Sequence, residues 1–252
     1  MGIPYDYNPM GYVKANGDTP FGPTSGLMLW HSLTKSSFTA PEIGDEFTIY
    51  NAAPSAAFVG GLKCAYFDGS VGLYQTNVNY WETSSTELTF SAWAKFSGNT
   101  YNQYRAVMGG GRWTSKTAID TGIGQNGYQT TTANYNVYSS VRNNDWHHVL
   151  GTLNKNGRVT LYLDGVSKGY SGANTNWTVA SNFAIGLNWN SNGAVCRDNP
   201  FLGYIAGVRV YNRVLTNEEI ALLATEYNPE GTITASDLSF SLYQKNETYG
   251  IS

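Results

Sequence analysis

The stretch 143–148 (NNDWHH) combines a carboxylate, an indole and two imidazoles, the groups from which metal sites and acid–base sites are built. The residues that follow it are apolar and indicate that the segment leads into a β-strand. Successive side chains of a strand point to opposite faces, so His147 and His148 cannot bind one metal ion from this strand. The third histidine, His31, is remote in sequence. We therefore interpret both histidines as structural residues.

A glycoside hydrolase would need two carboxylates facing one cleft, about 5–5.5 Å apart for retention or about 6.5–9.5 Å apart for inversion. On a strand such groups recur at every second position, because alternate residues share a face. No strand-like run here carries that pattern, and the sequence has neither a G-x-S-x-G elbow nor a P-loop. The acidic residues are scattered at Asp68, Glu82, Glu87, Asp120, Asp145, Asp164 and Asp198. The sequence therefore predicts a protein that is not an enzyme.

The composition narrows the class of partner. Charged residues make up only 13% of the 252 residues and the net charge is −3, so no basic tract is available to bind nucleic acid. The chain has 19 Tyr and 7 Trp, and its polar surface must come largely from Asn, Ser, Thr and Gly. This composition favours neutral, hydrogen-bonding ligands outside the cytosol. No apolar run is long enough to span a membrane.

The chain is long enough for one all-β domain, which we predict over residues 27–228. Residues 1–26 are rich in Pro, Gly, Asn and Tyr and predict an irregular N-terminal arm without a recognisable signal peptide. Residues 229–252 predict a C-terminal tail that could add one strand. The two cysteines, Cys64 and Cys196, allow either one long-range disulfide or two buried thiols.

The strand pattern predicts a two-sheet antiparallel jelly roll, an all-β sandwich. LTFSAWAKF (88–96) places Leu88, Phe90, Ala92, Ala94 and Phe96 on one face, and the alternate residues on the other. RVTLYLD (158–164) places Val159, Leu161 and Leu163 inward in the same way. Asn156-Gly157 predicts a type I′ hairpin turn, and Asp164-Gly165 marks the next tight turn.

One short helix is predicted near the end of the domain, in LTNEEIALLATEY (215–227). Thr216 is the expected N-cap, and Glu219, three residues later, completes a capping box. Ile220, Leu223 and Tyr227 share one face that can pack on the sandwich. The acidic pair at 218–219 is therefore explained by helix initiation rather than by catalysis.

Four blocks, in order, resemble the laminin-G-like group of concanavalin A-like jelly rolls. They are AYFDGSVGLYQ (65–75), LTFSAWAKF (88–96), DWHHVLGTLNKNGRVTLYLDGV (145–166) and FLGYIAGVRVYNRVLTNEEIALL (201–223). The resemblance implies the jelly-roll fold and an architectural role for the W-H-H pattern. The family's ligands vary, so the fold alone does not fix the function.

The resemblance also raises the question of calcium, since family members often hold one ion with carboxylates and backbone carbonyls. The family's late strand commonly reads G-x-I-D-[DE]-V, but here Ala206 and Gly207 replace the acidic pair. An acidic residue directly after the first strand is also not evident. We therefore predict no cofactor, with a structural calcium ion as the alternative and two of its expected ligands missing.

What remains is a recognition surface. Aromatic rings stack on the apolar faces of sugars, and asparagine side chains both donate to and accept from hydroxyl groups. Trp189 is the preferred stacking residue because polar residues and glycine surround it in a segment, 187–199, that is predicted to be a loop. The other candidate ligand-binding residues are Asn188, Asn190, Asn192, Trp113, Tyr101 and Tyr135.

Two functions of different class fit these observations. The first is a non-catalytic extracellular domain that binds glycan or a surface protein. The alternative is a structural or attachment protein of a larger assembly, such as a virion fibre or a cell-surface layer, docked through residues 1–26 and 229–252. A glycoside hydrolase is disfavoured by the lack of paired carboxylates. In each case we expect an extracellular, cell-surface or virion-surface location.

Overall fold

A computed structural model describes residues 12–13, 22–34, 37–78, 87–99, 101, 103–112, 117–131, 136–173, 182–189, 195–196 and 200–226. The strands of this part of the chain are β1 (Tyr12–Val13), β2 (Gly22–Pro23), β3 (Leu27–His31), β4 (Thr48–Tyr50), β5 (Ser55–Val59), β6 (Leu62–Asp68), β7 (Gly72–Thr76), β8 (Leu88–Phe96), β9 (Arg105–Arg112), β10 (Thr117–Gly124), β11 (Gly127–Thr131), β12 (Asn136–Tyr138), β13 (Trp146–Leu153), β14 (Val159–Leu163), β15 (Val166–Tyr170), β16 (Asn182–Ile185), β17 (Asn188–Trp189), β18 (Val195–Cys196) and β19 (Leu202–Tyr211). The same part of the chain contains one helix, α1 (Asn217–Leu223), which follows β19.

The strands form two large antiparallel sheets, as predicted for a jelly roll. An eight-stranded sheet has the order β15-β14-β13-β8-β19-β6-β5, and β3 also pairs with β19. A seven-stranded sheet has the order β12-β11-β10-β9-β16-β7-β4. Two further ladders of two strands each are β1-β2 and β17-β18. The one described helix is too short to cross a membrane.

The core lies between the two large sheets, where the predicted inward-facing residues are buried. Phe90 of β8 contacts Phe183 of β16 edge to face, with 5.4 Å between the ring centroids. All of the residues predicted to face inward from β8 and β14 belong to this one apolar cluster. The alternation in the sequence therefore identified the core face of both strands correctly.

The other face of the eight-stranded sheet, which we call the outer face, is also covered. Ile220 and Leu223 of α1 pack there against Leu150 and Tyr211. Next to them, the β5–β6 hairpin packs on Trp93. The Trp146 indole N–H donates to the Val59 carbonyl oxygen (3.2 Å) and so fixes the tip of that hairpin.

The helix begins as the sequence predicts. The Thr216 hydroxyl accepts a hydrogen bond from the Glu219 N–H (3.3 Å), and the Glu219 carboxylate accepts one from the Thr216 N–H (2.9 Å). Arg213 holds the same carboxylate through two bonds of 2.7 Å. The capping box is thus complete and confirms Thr216 as the N-cap.

The β13–β14 hairpin is present, but the predicted type I′ turn at Asn156-Gly157 is wrong. Of these two residues only Gly157 has a positive φ, and its N–H donates to the Asn154 carbonyl. The Asn154 side chain accepts bonds from the N–H groups of Asn156 and Arg158. This additional capping favours a longer connection over a two-residue turn. Asp164 and Gly165 both have positive φ, as a type I′ turn requires, and they form the tight turn predicted there.

Residues 22–26, which the sequence assigns to an irregular arm, lie against the domain. Gly22 has a φ of 96°, and a Cβ there would lie 2.5 Å from a methyl group of Leu223, so glycine allows this close contact with α1. The Arg213 side chain donates to the Ser25 carbonyl (2.8 Å). The expected C-terminal strand, in 229–252, lies outside the described residues.

Cys64 is a free, buried thiol. Cys64 lies on the outer face in the same apolar cluster as Trp93. Burial raises the pKa of its thiol to about 11, which keeps it protonated and unreactive.

Candidate functional site

The stretch that raised the question of chemistry lies at one end of the sandwich, where β8 ends and β13 begins. Trp146 pairs with Lys95 across these two strands, so the connections that precede β13 and follow β8 lie side by side. We call the surface formed by Tyr101, Arg142, Asn143, Asn144 and Asp145 the loop end. The Lys95 ammonium donates to the backbone carbonyl of Asn144 and ties the two connections together.

His147 holds the loop end in place. One of its ring nitrogens, Nδ1, is 2.7 Å from a carboxylate oxygen of Asp164, and the other, Nε2, is 2.7 Å from the side-chain oxygen of Asn143. The Asn143 amide nitrogen donates to the Asp145 carboxylate (2.6 Å), which fixes the orientation of that amide. Since both ring nitrogens are occupied and the side chain is buried, His147 positions the loop and does not offer a reactive atom.

Tyr101 is the aromatic residue of the loop end. Its ring packs on Phe96, with 5.1 Å between the centroids, and remains partly exposed. The Asn144 amide nitrogen faces three acceptors, the carbonyl oxygens of Phe96 (3.2 Å) and Gly98 (3.3 Å) and the Tyr101 hydroxyl (3.1 Å), and shares its two hydrogens among them. In this orientation the Tyr101 hydroxyl faces an amide nitrogen, which cannot accept a hydrogen bond, so the hydroxyl can donate its own hydrogen to a ligand.

Charges of both signs lie beside Tyr101. Partial burial raises the pKa of its hydroxyl, while the positive Arg142 lowers it and the negative Asp145 raises it. Arg142, Asn144 and Asp145 are exposed. The loop end therefore presents one ring, an amide, a cation and a carboxylate on a connection that several hydrogen bonds hold. Hydrogen bonding and stacking are the chemistry this arrangement supports.

Asn188 and Trp189 were predicted to lie in a loop, and this is wrong. They form β17, and Trp189 pairs with Val195 of β18. A short hairpin arm can contain asparagine because the backbone ladder, rather than strand propensity, holds it. The β17 backbone contacts β9. The Gly186 N–H donates to the Val107 carbonyl, so the chain enters β17 heading for the start of β9, the strand that follows Tyr101 in the chain.

Of the other predicted binding residues, Asn190, Asn192, Trp113 and Tyr135 lie outside the described residues. The structure thus brings the Tyr101 and Asn188–Trp189 segments toward one end of the sandwich. Sequence reasoning missed Arg142 and Asn144 as partners of Tyr101. The only signal was the run Asn143-Asn144-Asp145 before the W-H-H pattern, and its contact with Tyr101 depends on the β8–β13 pairing.

A second arrangement has the appearance of catalytic chemistry. The Ser91 hydroxyl is 2.8 Å from His148 Nε2, as in a nucleophile–base pair. Both side chains are buried on the outer face, and the His148 ring packs against Trp93. Burial, together with the positive Arg209, lowers the pKa of His148 to about 3. No substrate can reach this pair in the folded protein, so it is a structural contact.

The residues that stand where the family holds calcium do not fit the ion. Ala206 packs among apolar side chains, and Gly207 contributes only its backbone, its N–H donating to the Ser32 carbonyl (3.3 Å). One buried carboxylate, Glu42, does reach this region, but it accepts bonds from the Ser32 N–H (2.9 Å) and hydroxyl (2.5 Å). Calcium requires several oxygen ligands. Within the described residues no three His, Cys, Asp or Glu side chains cluster together.

Comparison with known proteins agrees with this fold. The Laminin_G_3 sequence profile, described as the concanavalin A-like lectin/glucanases superfamily, matches residues 68–221. A search of the curated proteins found no match.

Several solved structures resemble the whole sandwich. One is domain 4 of AbnA, a GH43 extracellular arabinanase from Geobacillus stearothermophilus, in complex with arabinotriose; it is 23% identical, with a TM-score of 0.57 over 80% of this chain and 99% of that domain. Another is the botulinum neurotoxin serotype D ligand binding domain in complex with N-acetylneuraminic acid, 14% identical, with a TM-score of 0.57 over 79% of this chain and 50% of that one. A Trypanosoma rangeli sialidase mutant displaying trans-sialidase activity is 19% identical, with a TM-score of 0.59 over 84% of this chain and 35% of that one. At these identities the likeness concerns the fold.

Proposed function

Because the chain belongs to the concanavalin A-like lectin/glucanases superfamily, we propose that it is a non-catalytic domain that recognises glycan. The loop end is the observation that supports this most directly. It combines a partly exposed tyrosine ring with donors and acceptors that are already fixed in position. A site whose groups are held before binding loses less conformational entropy when a ligand arrives.

The ligands of two similar domains support the same proposal. The arabinanase domain is in complex with arabinotriose, and the toxin domain is in complex with N-acetylneuraminic acid. Both ligands are carbohydrates, which the ring and amide chemistry of the loop end suits. The partner that we propose is a surface protein that carries such glycans.

We propose that Trp189 is the stacking platform and that Asn188, Asn190 and Asn192 contact sugar hydroxyls. Tyr101 forms the neighbouring part of the site, and Trp113 and Tyr135 are further candidates. The direction in which the chain enters β17, toward the start of β9, supports one continuous site.

The proposed absence of catalysis rests on how the reactive groups are used. His147 and the Asp145 carboxylate hold the loop through hydrogen bonds, and the Ser91–His148 pair is buried. We further propose that the domain acts at an extracellular, cell or virion surface, a setting that its low charge and its many aromatic and amide residues favour.

A glycan array followed by calorimetric titration of the best ligand tests the proposal. We expect Trp189→Ala and Tyr101→Ala each to weaken binding by about 5–150-fold, equivalent to about 1–3 kcal/mol by analogy with other ring stacking. Tyr101→Phe should lose only the hydroxyl contribution. Tyr170→Ala is the matched control, because this ring is 65% exposed on β15, away from the loop end.

Two results would contradict the proposal. The first is an array without any glycan bound above background. The second is turnover of a polysaccharide or a chromogenic glycoside that is lost when two acidic residues are changed, which would establish a hydrolase instead.

A further inference from the structure

Besides β3, whose second side is bridged by Ile43, the two large sheets have four edge strands. Three of these four carry features that discourage pairing with another chain. β4 and β12 are only three residues long. β15 has a bulge in its pairing with β14, and it carries Lys168 and Gly169, the latter with a φ of 122°. Short edges, bulges and lysines are the usual means by which proteins block edge-to-edge association.

The fourth edge, β5, has none of these protections. Its sequence is Ser-Ala-Ala-Phe-Val, without charge or proline, and it pairs with β6 in continuous register over all five residues. No other described segment pairs with it. Ser55 and Ala56 are exposed and small, so their side chains leave the backbone accessible. Phe58 is 69% exposed, more than any other large apolar residue of the described chain.

The turn after β5 determines which backbone groups point outward. Gly60 and Gly61 both have positive φ, 62° and 81°, which is the type I′ geometry of a two-residue hairpin. In such a hairpin the flanking pair, Val59 and Leu62, is hydrogen-bonded, and the pairs then alternate along the ladder. Ala56 and Phe58 are therefore the residues whose N–H and C=O groups point away from β6.

We propose that β5 pairs antiparallel with β5 of a second copy of this chain, about a twofold axis that passes midway between the two copies of Ala57. In this register Ala56 lies opposite Phe58 of the partner subunit, and Phe58 lies opposite Ala56 of the partner subunit. The outward groups of both residues then form hydrogen bonds on each side of the axis, so the strand is complementary to itself. The side chains fit as well, because each large ring lies beside a methyl group.

Such a dimer joins two eight-stranded sheets edge to edge. A single pair of five-residue strands buries less area than a standard interface of about 1,200–2,000 Å², so we expect a weak dimer that forms with rising concentration. The strand is uncharged, so two copies of it do not repel each other. The assembly would give two copies of the loop end to one particle, which raises avidity for a surface that bears many ligands.

Sedimentation equilibrium of the full chain from about 5 to 500 µM tests the proposal, a range suited to interfaces of this size. We expect the wild type to dimerise and Phe58→Lys to weaken the dimer at least about tenfold, because a charge on an edge strand blocks pairing. Val166→Lys is the matched control, since Val166 is 59% exposed on the protected edge β15. This variant should dimerise as strongly as the wild type. Both positions are exposed, so both variants should keep the melting temperature of the wild type.

The register is tested separately with Ala57→Cys. Residues paired directly across the axis have Cα atoms about 4.5 Å apart, a distance that a disulfide can bridge. Cys64 lies directly opposite residue 57 on β6, so these variants are made in a Cys64→Ser background. We expect mild oxidation to give a covalent dimer of Ala57→Cys but not of Ser55→Cys or of the background itself. A chain that stays monomeric throughout the concentration range, or a dimer that Phe58→Lys leaves intact, would overturn the proposal.

Discussion

The inner and outer faces of the eight-stranded sheet are both buried, but they are stabilised by different chemistry. On β8, Phe90 and Ala92 face the inter-sheet core, while Ser91 and Trp93 between them face outward and are just as inaccessible. The inner face is covered by another sheet, and the outer face by α1 and the β5–β6 hairpin. Alternation in a sequence therefore identifies the two faces of a strand but does not tell whether a face is exposed.

Beside its apolar clusters, the outer face contains buried polar and charged groups, which need partners. Arg209 lies there with its side chain 1% exposed, and one of its guanidinium nitrogens is 2.6 Å from a carboxylate oxygen of Glu226, which is 2% exposed. Glu226 follows α1 in the chain, so this ion pair also holds the helix end on the sheet. A buried charge is tolerated only when it is paired, whereas an apolar core residue needs only close packing.

The largest effect should come from the inner face. Phe90→Ala removes the edge-to-face contact with Phe183 and leaves a cavity between the sheets. We expect the free energy of unfolding to fall by about 3–5 kcal/mol, measured by urea denaturation. Phe90→Leu keeps most of the volume and should lose far less. If Phe90→Ala were nearly neutral, the inter-sheet cluster would not be the principal core.

Glu226→Ala should have the next largest effect, because it leaves the buried guanidinium of Arg209 without its carboxylate. We expect a loss of about 3 kcal/mol in the same denaturation measurement. The double variant Arg209→Met/Glu226→Leu removes both charges and should recover most of that loss. Equal losses in the single and double variants would show that packing, rather than the unpaired charge, dominates on the outer face.

The outer face should also make stability depend on pH through His148. Its pKa in the folded protein is about 3, below the ordinary value of 6.5, so the unfolded chain binds an extra proton between these values. The contribution of the neutral His148 to the free energy of unfolding is thus complete above pH 6.5 and is lost as the pH falls toward 3. At pH 5 the loss should be about 2 kcal/mol.

His148→Gln provides the comparison, since it cannot titrate. Unfolding free energies at pH 7.5 and pH 5 should differ by about 2 kcal/mol more in the wild type than in this variant. The other titrating groups cancel in that difference. Identical pH dependence in the two proteins would mean that His148 is not held neutral on the outer face.

The sequence predicted the core face, the helix and the jelly roll because these depend on local periodicity and capping. Phe90, Thr216 and Glu219 each follow a pattern that lies within a few residues. The turn at Asn156-Gly157 was predicted wrongly because the Asn154 side chain, two residues earlier, caps the backbone of the connection. The pairing of β17 with β18 was missed because short ladders leave little trace in side-chain periodicity.

The candidate site was less predictable because its contacts join distant parts of the chain. Tyr101 and Asn144 meet only because β8 pairs with β13. Glu42 reaches Ser32 by folding back on β3, so the region after the first strand contains a carboxylate that the adjoining sequence does not show. The architectural interpretation of His147 and His148 could be predicted, since it required only that neighbouring residues point to opposite faces.

The smallest effect concerns the helix that covers the outer face. Thr216→Ala removes the hydroxyl that accepts the Glu219 N–H and should lower the free energy of unfolding by about 1 kcal/mol. Thr216→Ser keeps that hydroxyl and is the matched control. Because α1 covers Leu150 and Tyr211, fraying of its first turn should also speed hydrogen exchange of the α1 amides, while amides of β8, whose inner face lies in the core, stay protected. Equal acceleration in both elements would show that the helix and the inner core open as one unit, and the two faces would then differ in chemistry but not in local stability.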